Sequence, residues 1–388
     1  MPKRRRIAVL TTGRQDYAIL RSTMLALTTD ERFELLVFAS GMHLREEHGR
    51  SIEQLSIDGF EVTEEIPLDD ANPAVETGSA VGRVFAALQR HRPDALMLLG
   101  DRSETLGAAL AATLATIPII HLHGGEETEG AIDNAMRHAI TKLAHLHLVS
   151  HEQHAMRVRQ MGEPDDRVVV VGAPGLDNLL RGDLPNRESL ERDLGLQLLD
   201  PVVLVTLHPT TLGESAAASD VTVLGDALAR VNATYVITLP NADSGGASIR
   251  DTWAQWAAGR RNVCLVPSLG PGRYWGMMRI ARAMIGNSSS ALIEGPSLGL
   301  SVVDVGDRQK WRLAPPHVVR VPFDREAVRQ ALVEALSDAR RLELAGVPPV
   351  YLPGPAAPRI VAAIARTALE RPPRKRFVSR LDTERPKR

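Results

Sequence analysis

The sequence has little of several features that define whole classes of protein. Its single cysteine, Cys264, rules out an internal disulfide and a metal cage of several cysteines, and it fits a reducing, cytoplasmic compartment. No apolar run approaches the roughly 20 residues that span a bilayer, so no membrane partner is expected. The formal net charge of -1 lacks the basic surplus of a nucleic-acid-coating protein, although it is compatible with a local basic pocket.

What the sequence does contain is the pattern of a folded α/β protein. Its 388 residues, 44% hydrophobic and 24% charged, are enough for two domains of ordinary size. Segments long enough for a helix separate continuous apolar runs at residues 7–10, 33–39, 95–99, 117–121, 146–149 and 168–171. Such runs suit parallel strands covered on both faces, and the alternation predicts an open, doubly wound parallel sheet.

The same rhythm restarts after a polar stretch at residues 181–199, with apolar runs at 202–206, 235–238, 263–266, 283–285 and 301–305. We therefore predict two Rossmann-like domains, over residues 1–175 and 176–355, with the ligand cleft between them. A helix predicted over residues 356–370 crosses back to the first domain. Residues 371–388 are basic and poor in apolar residues, which predicts a disordered tail.

Polar side chains follow the predicted strands of both domains. Open α/β sheets bind their ligands at the carboxyl ends of the strands. So many polar strand ends fit a site for a large, phosphate-bearing substrate. The residues concerned include Arg14, His43, Asp101, Arg102, Glu126, His208 and Arg308.

Residues 286–294, Gly-Asn-Ser-Ser-Ser-Ala-Leu-Ile-Glu, follow a predicted strand and lead into a predicted helix. Free N–H groups at the start of that helix, with the hydroxyls of Ser288, Ser289 and Ser290, would hold phosphate. Glu294 would accept hydrogen bonds from a ribose diol, and Arg14 would add a guanidinium to the phosphates. The alternatives are ordinary serine capping of the helix and a solvated surface arginine.

Three acidic residues are candidates for acid/base chemistry. Asp101 follows the apolar run 95–99 after one glycine, and Glu126 follows the turn at residues 124–125. Desolvation at such strand ends raises the pKa of a carboxyl group towards the neutral range in which a general base works. Asp133 is the third candidate, with capping of a helix as the alternative interpretation.

Histidines are frequent between residues 121 and 154. A catalytic zinc ion usually has three ligands at a recognisable spacing, which this sequence lacks, so no metal site is expected. His208 stands apart, because it follows the run 202–206 on the cleft side of the second domain and would donate to a leaving diphosphate or shuttle a proton. The remaining histidines are expected to be hydrogen-bonded strand-end or surface residues: His121, His123, His138, His145, His147, His151 and His154.

Short motifs occur in a fixed order along the chain, at residues 13–17, 41–44, 100–102, 121–126, 130–133, 137–142, 207–209, 241–243, 286–294 and 306–310. As a set, they resemble the hydrolysing UDP-N-acetylglucosamine 2-epimerases, which start sialic-acid and related nonulosonic-acid pathways. The resemblance runs from residue 7 to residue 312 and continues through the final helix.

The resemblance implies a GT-B glycosyltransferase-like fold, no metal or nicotinamide cofactor, a UDP-sugar substrate and a homodimer or homotetramer. It also implies two stages. A base removes the C2 proton while UDP leaves C1, and water then adds to the resulting 2-acetamidoglucal and releases the C2-inverted sugar. Asp101, Glu126 and Asp133 would be the acid/base carboxylates, with His208 as their partner from the second domain. Substrate and UDP would be bound by Arg14, His43, Arg102, Asn241, Ser288, Ser289, Ser290, Glu294 and Arg308.

The chain departs from the family pattern at Ser103, Asn134 and Trp311, where family members commonly have an aromatic, an acidic residue and a glycine. These departures leave the substrate open between UDP-N-acetylglucosamine and UDP-2,4-diacetamido-2,4,6-trideoxyglucose. Three other functions stay open as well: a non-hydrolysing 2-epimerase, a GT-B glycosyltransferase with the same UDP site, and a sugar-nucleotide-binding module without activity.

Overall fold

The computed structural model describes residues 4–46, 51–69, 72–127, 132–209, 214–240, 246–371 and 373–379. Within these ranges the chain forms two compact units. The first unit takes in the described residues up to Glu126, from Ile132 to Asn178 and from Tyr351 onward. The second takes in Glu127 and the described residues from Leu179 to Val350. No helix in these ranges has the length and apolar character needed to cross a membrane.

The first unit is built on a seven-stranded sheet in the order β3-β2-β1-β4-β5-β6-β7, and every neighbouring pair is parallel. The order reverses between β1 and β4, the kind of position at which such sheets bind ligands. The elements are β1 (Arg5–Thr11), α1 (Arg14–Thr29), β2 (Phe33–Ser40), α2 (Ile52–Ile57), β3 (Val62–Ile66), α3 (Pro73–His91), β4 (Ala95–Leu99), α4 (Ser103–Leu114), β5 (Ile119–Leu122), α5 (Asp133–Leu143), β6 (Leu146–Val149), α6 (Glu152–Gln160) and β7 (Val168–Val170).

The second unit is built on a six-stranded sheet in the order β10-β9-β8-β11-β12-β13, again parallel throughout. These two doubly wound parallel sheets confirm the predicted fold class. The elements are α7 (Arg187–Leu194), β8 (Val202–Thr206), α8 (Glu214–Leu228), β9 (Thr234–Thr238), α9 (Gly246–Ala257), β10 (Val263–Val266), α10 (Gly270–Ile280), β11 (Ala283–Gly286), α11 (Ser289–Ile293), β12 (Ser301–Val305), β13 (Val318–Val321), α12 (Arg325–Leu336) and α13 (Asp338–Leu344).

The first sheet is covered on both faces, which explains its continuous apolar runs. Val9 and Met97 point to one face, where they join a core with Leu20 of α1. Leu96 points to the other face and packs with the buried alanines of α4. Since alternate residues of each strand are buried on opposite faces, apolar residues occupy most positions of both sets.

The last helix, α14 (Ala356–Arg366), belongs to the first unit. Its apolar residues Ile360 and Ile364 lie in the same core as α1. The two carboxylate oxygens of Asp177 accept hydrogen bonds from the backbone N–H groups of Ala356 and Ala357, at 2.6 and 2.9 Å. This carboxylate therefore satisfies two of the N–H groups that a helix start leaves without partners.

Residues 373–379 are packed against the first unit. Lys375 Nζ lies 2.6 Å from the carboxylate of Glu163, and the backbone N–H of Val378 donates to the carbonyl of Gly162 at 2.9 Å. The Phe377 ring packs on the same glycine. The prediction of a disordered tail from residue 371 is wrong for this segment, because a buried carboxylate distant in sequence supplies a partner for its charge. Residues 380–388 of the predicted tail lie outside the described residues.

Replacement of Asp177 by alanine should destabilise the first unit, because two buried N–H groups of α14 lose their acceptor. We expect the free energy of unfolding to fall by about 1–2 kcal/mol. Urea denaturation followed by circular dichroism measures the change. Asp183→Ala is the control, because its carboxylate is exposed in a surface ion pair, and its loss is expected to stay below about 0.5 kcal/mol. Equal losses in the two variants would contradict the capping role.

Candidate functional site

Arg137 connects the polar strand ends of the first unit. Its side chain is buried on α5, and one guanidinium nitrogen pairs with the carboxylate of Asp101, just beyond β4. Another nitrogen donates to the backbone carbonyl of Glu126 and to the amide oxygen of Asn134, each at 2.9 Å. Asp133 begins the same helix, one turn earlier. The structure therefore links the three predicted acids through α5.

Asp133 is the first residue of α5, and Ile132 occupies the cap position before it. Asp133 therefore stands one position inside the helix rather than at its cap position. The half-buried carboxylate belongs to the first turn, where the positive end of the helix dipole favours a negative charge.

Glu126 is buried and belongs to a chain of hydrogen-bonded side chains. Its Oε1 accepts a hydrogen bond from Ser150 Oγ at 3.0 Å and lies 2.5 Å from Nδ1 of His123. Ser150 Oγ in turn lies 2.9 Å from Nδ1 of His154. Burial lowers the pKa of His154 to about 4, so its ring is neutral at physiological pH and donates to the serine. Glu126 is thus oriented from two sides.

His121 holds the turn that precedes Asp101. Its Nε2 lies 2.8 Å from the carbonyl of Gly100, a residue in the left-handed region with φ of 75°. Burial lowers the pKa of His121 to about 3, so the neutral ring donates this hydrogen bond. His121 therefore positions the strand end, in keeping with the prediction of a hydrogen-bonded strand-end histidine.

Arg14 and Arg102 lie at the reversal between β1 and β4 but differ in their partners. Arg102 Nε lies 2.5 Å from Glu104 Oε1, so its charge is already paired within the unit. Arg14 stands in the first turn of α1, where burial lowers its pKa. Among the described residues it makes no hydrogen bond or ion pair. Of the two, Arg14 is the cation without a counter-charge in the part of the chain that the structure describes.

His43 was predicted to bind substrate, and the structure buries it. Its Nε2 lies 2.9 Å from the hydroxyl of Thr11, and its Nδ1 lies 2.9 Å from that of Ser51. Burial lowers the pKa of His43, so the ring is neutral. With both nitrogens occupied, the ring holds the turn after β2, and a direct hydrogen bond to substrate would require one of these contacts to break.

Asn287 joins three strand ends of the second unit. Its side chain exchanges two hydrogen bonds with the backbone of His208 beyond β8, at 2.7 and 2.9 Å. Its own carbonyl accepts hydrogen bonds from Arg308 and Gln309 beyond β12, each at 3.0 Å. Asn287 therefore fixes two predicted site residues, His208 and Arg308, in one group.

The serine segment follows Asn287 directly. Ser288 is the cap residue of α11, and Ser290 donates a hydrogen bond to the carboxylate of Glu294. Trp275 Nε1 donates to the same carboxylate at 3.2 Å, and burial raises the pKa of Glu294. Ser289 has no hydrogen-bond partner within the described part of the chain. The segment thus places the Ser289 hydroxyl, which has no described partner, beside the half-buried and oriented carboxyl group of Glu294.

His208 carries a neutral ring at physiological pH. Burial lowers its pKa to about 3, and the positive charge of Arg308 adds to this effect. A neutral imidazole can donate one hydrogen bond and accept another, which suits the predicted contact with a diphosphate. Asn241, the remaining residue predicted to bind substrate, lies outside the described residues.

Sequence reasoning missed several residues that build these two groups. Arg137 belongs to the motif at residues 137–142, and its position four residues after Asp133 places both on one turn of a helix. Tyr274 is another such residue, and burial raises its pKa to about 12. The only local signal for it is an aromatic residue in a glycine-rich segment. Asn287 carried the clearest signal, a polar side chain at a strand end.

Comparison with known proteins identifies the family. The family model described as UDP-N-acetylglucosamine 2-epimerase matches residues 25–365. The chain belongs to this family. The resemblance inferred from the sequence motifs is therefore confirmed.

Relatives and solved structures of the epimerase family support this assignment. The GDP/UDP-N,N'-diacetylbacillosamine 2-epimerase (hydrolyzing) of Campylobacter jejuni is 33% identical over 323 residues, covering 81% of this chain and 84% of its own. The UDP-N,N'-diacetylbacillosamine 2-epimerase (hydrolyzing) of Legionella pneumophila is 33% identical over 339 residues, covering 86% and 89%. The UDP-GlcNAc 2-epimerase of Neisseria meningitidis, solved with bound UDP-GlcNAc, matches 93% of this chain and 100% of its own with a TM-score of 0.81 at 19% identity. The last match confirms the GT-B-like fold.

The buried neutral histidines predict a loss of stability in acid. Burial lowers the pKa of His121 to about 3, whereas an unfolded histidine has a pKa of about 6.5. Between these values the unfolded chain binds the extra proton, so stability rises with pH there and falls as the pH is lowered. From pH 7.5 to 5.5, His121 should reduce the free energy of unfolding by about 1.4 kcal/mol.

His121→Gln tests this, because a glutamine amide can donate to Gly100 but does not titrate. The variant should lose about 1.4 kcal/mol less than the unmodified protein over that interval. Urea denaturation at the two pH values measures the difference, and identical losses would contradict the assignment.

Proposed function

We propose that this protein is a hydrolysing UDP-N-acetylglucosamine 2-epimerase. In the first stage the C2 proton is removed, the C1–O bond to UDP breaks, and the C2–H electron pair forms the C1=C2 double bond of a 2-acetamidoglucal. In the second stage water adds, with oxygen bonding to C1 and hydrogen to C2, and a free N-acetylmannosamine-type sugar is released. The observation that carries the proposal is the acid group joined by Arg137 in a chain of this family. The hydrolysing relatives named above support it.

The first unit supplies the proton chemistry in this proposal. Asp101, held beside the guanidinium of Arg137, takes the C2 proton. Glu126, together with the side chains that it binds, serves proton delivery in the second stage, and Asp133 assists with the water. The C2 proton is only weakly acidic, so departure of UDP must be assisted electrostatically while the base removes it.

The second unit supplies the nucleotide contacts in this proposal. Ser288, Ser289 and Ser290 bind the diphosphate with Arg308, and the carboxyl group of Glu294 accepts from the ribose diol. His208, neutral and adjacent to Arg308, donates to the leaving group. Donors arranged around a departing anion stabilise the charge that it gains in the transition state.

Four further residues are proposed to bind substrate or UDP. Three belong to the first unit, and the fourth is Asn241. Arg14, which has no counter-charge among the described residues, contributes a cation to the phosphates. Arg102 and His43 contribute to the substrate pocket, and Asn241 is assigned to it from its motif alone. We also propose a cytoplasmic location and a homodimer or homotetramer, by analogy with the family.

A second substrate, UDP-2,4-diacetamido-2,4,6-trideoxyglucose, is favoured by the 33% identity to the Campylobacter and Legionella proteins. Ser103 also differs from the aromatic common in the family, and its hydroxyl donates to Glu76 at 3.0 Å. A polar contact at this position is compatible with a differently substituted sugar.

Product analysis tests the reaction and the substrate together. Each UDP-sugar is incubated with the protein in heavy water, without an acceptor, and followed by NMR. We expect UDP and a free, C2-inverted sugar that carries deuterium at C2. A UDP-linked epimer would indicate the non-hydrolysing reaction instead. A requirement for an acceptor would indicate a glycosyltransferase, and UDP binding without turnover would indicate an inactive binding module.

Asp101→Asn should retain UDP binding and lose UDP release from the substrate. An amide cannot take the C2 proton, and general base catalysis contributes about 10²–10⁴-fold to rate. Calorimetry with UDP and chromatographic detection of released UDP measure the two properties. Asp183→Asn, a change at an exposed carboxylate of a surface ion pair, should leave both unchanged. Normal turnover by Asp101→Asn would remove Asp101 from the proposed role.

Ser289→Ala and Glu294→Ala should produce the opposite pattern and weaken UDP binding. Hydrogen bonds to charged groups contribute about 1.5–3 kcal/mol, so each change should raise the dissociation constant by about tenfold or more. Calorimetric titration with UDP measures it. An unchanged dissociation constant in both variants would contradict the assignment to phosphate and ribose.

A further inference from the structure

His123 has an unusual backbone conformation for its residue type. It follows β5 directly, and its φ is 62°, in the left-handed region that favours glycine. Holding a residue other than glycine there costs of order 1–3 kcal/mol, and such residues cluster at functional sites. Glycine would adopt this conformation more easily, so a histidine at this position indicates a role for its imidazole.

The His123 ring is oriented through one nitrogen only. Nδ1 lies 2.5 Å from Oε1 of the buried Glu126, which is itself bound by Ser150. Nε2 is shielded from solvent and has no hydrogen-bond partner among the described residues. A buried polar atom without a partner costs about 1–3 kcal/mol, which a bound substrate would recover. A carboxylate behind one imidazole nitrogen fixes the ring and its tautomer, and it supports proton transfer at the other nitrogen.

The surroundings of His123 also connect it with the proposed base. The backbone N–H of Gly100 donates to the carbonyl of Leu122 at 3.0 Å, so the ends of β4 and β5 are held side by side. Asp101 follows the first of these strand ends and His123 the second. Arg137 contacts both the Asp101 carboxylate and the backbone of Glu126. One guanidinium therefore contacts both the carboxylate of the base and the backbone of the residue whose carboxylate orients the imidazole.

We propose that His123 is a catalytic acid of the second stage and that Glu126 is its positioning residue, an inference that rests on the proposed function. Protonated His123 gives its Nε2 proton to C2 on the face opposite to Asp101, and the π electrons of the C1=C2 bond form the new C2–H bond. Water bonds to the electron-deficient C1 and gives one proton to Asp133, the residue proposed to assist with that water. After the sugar leaves, Asp133 releases this proton and His123 takes one up, so both residues return to their starting states. The Glu126 carboxylate offsets the ring charge while the ring holds two protons.

The test separates the two stages in the full-length protein. His123→Gly removes the ring and leaves a residue that prefers the left-handed backbone. We expect UDP to be released while the 2-acetamidoglucal accumulates, with formation of free sugar reduced about 100-fold or more. Addition of imidazole should restore free sugar. NMR of the products, with UDP affinity and circular dichroism as measures of folding, gives these results.

Two further variants distinguish chemistry from packing. His123→Asn tolerates the left-handed backbone and can still donate to Glu126, but it carries no titratable proton, so it should also accumulate the glucal. Glu126→Gln can still accept from Nδ1 but no longer offsets the charge of the imidazolium, so hydration should slow without being abolished, with the pH dependence of that stage displaced to lower pH. Hydration within tenfold of the unmodified rate in both His123 variants would overturn the proposal. The proposal would also be overturned if Glu126→Gln lost hydration completely while both His123 variants retained it.

The unmodified protein in the same assay separates this inference from the proposed function. Absence of both UDP release and free sugar there would refute the proposed function itself. Free sugar from the unmodified protein and equally from both His123 variants would refute only the role of His123.

Discussion

The buried guanidinium of Arg137 is the constraint on which the acid group of the first unit depends. A charge removed from water is stable only when it is paired and hydrogen-bonded. Arg137 meets this requirement with the Asp101 carboxylate, the Glu126 carbonyl and the Asn134 amide. Loss of one partner would leave the charge undercompensated, so β4, the turn after β5 and α5 are held in one arrangement. Asn134, where the family commonly has an acid, keeps an acceptor for Arg137 without adding a second negative charge beside Asp101.

Neutral imidazoles make up much of the supporting structure around that group. His121 and His154 are buried with pKa values lowered to about 3 and about 4, so each donates one defined hydrogen bond at physiological pH. The first orients the turn before Asp101, and the second orients Ser150 behind Glu126. Side chains held in this way before a substrate arrives need little reorganisation during reaction, which is the condition for electrostatic stabilisation of a transition state. The strained backbone of His123 is tolerated within the same network.

The strands were predictable because each is buried on both faces. A strand of this kind appears in the sequence as a continuous apolar run. The polar strand ends followed from the same pattern, whereas the strand order and its reversal between β1 and β4 came from the structure. Residues whose importance comes from a distant partner were not predictable in this way. The sequence around Lys375 predicts a disordered basic tail, whereas the structure pairs Lys375 with Glu163. The sequence around Asp133 is compatible with a cap position, and only the structure shows that Asp133 lies one residue inside the helix.

The sequence alone determined the fold class and the family, because hydrophobic periodicity and the order of motifs are properties of the linear chain. It also determined which residue types stand at the strand ends. Only the tertiary structure decided how those residues are engaged. Arg102 is paired with Glu104, whereas Arg14 has no counter-charge among the described residues, His43 is held by two hydroxyls, and Glu126 is bound to His123. The physical reason is that pairing, burial and protonation depend on neighbours brought together by folding, and separation along the chain does not specify which groups become neighbours.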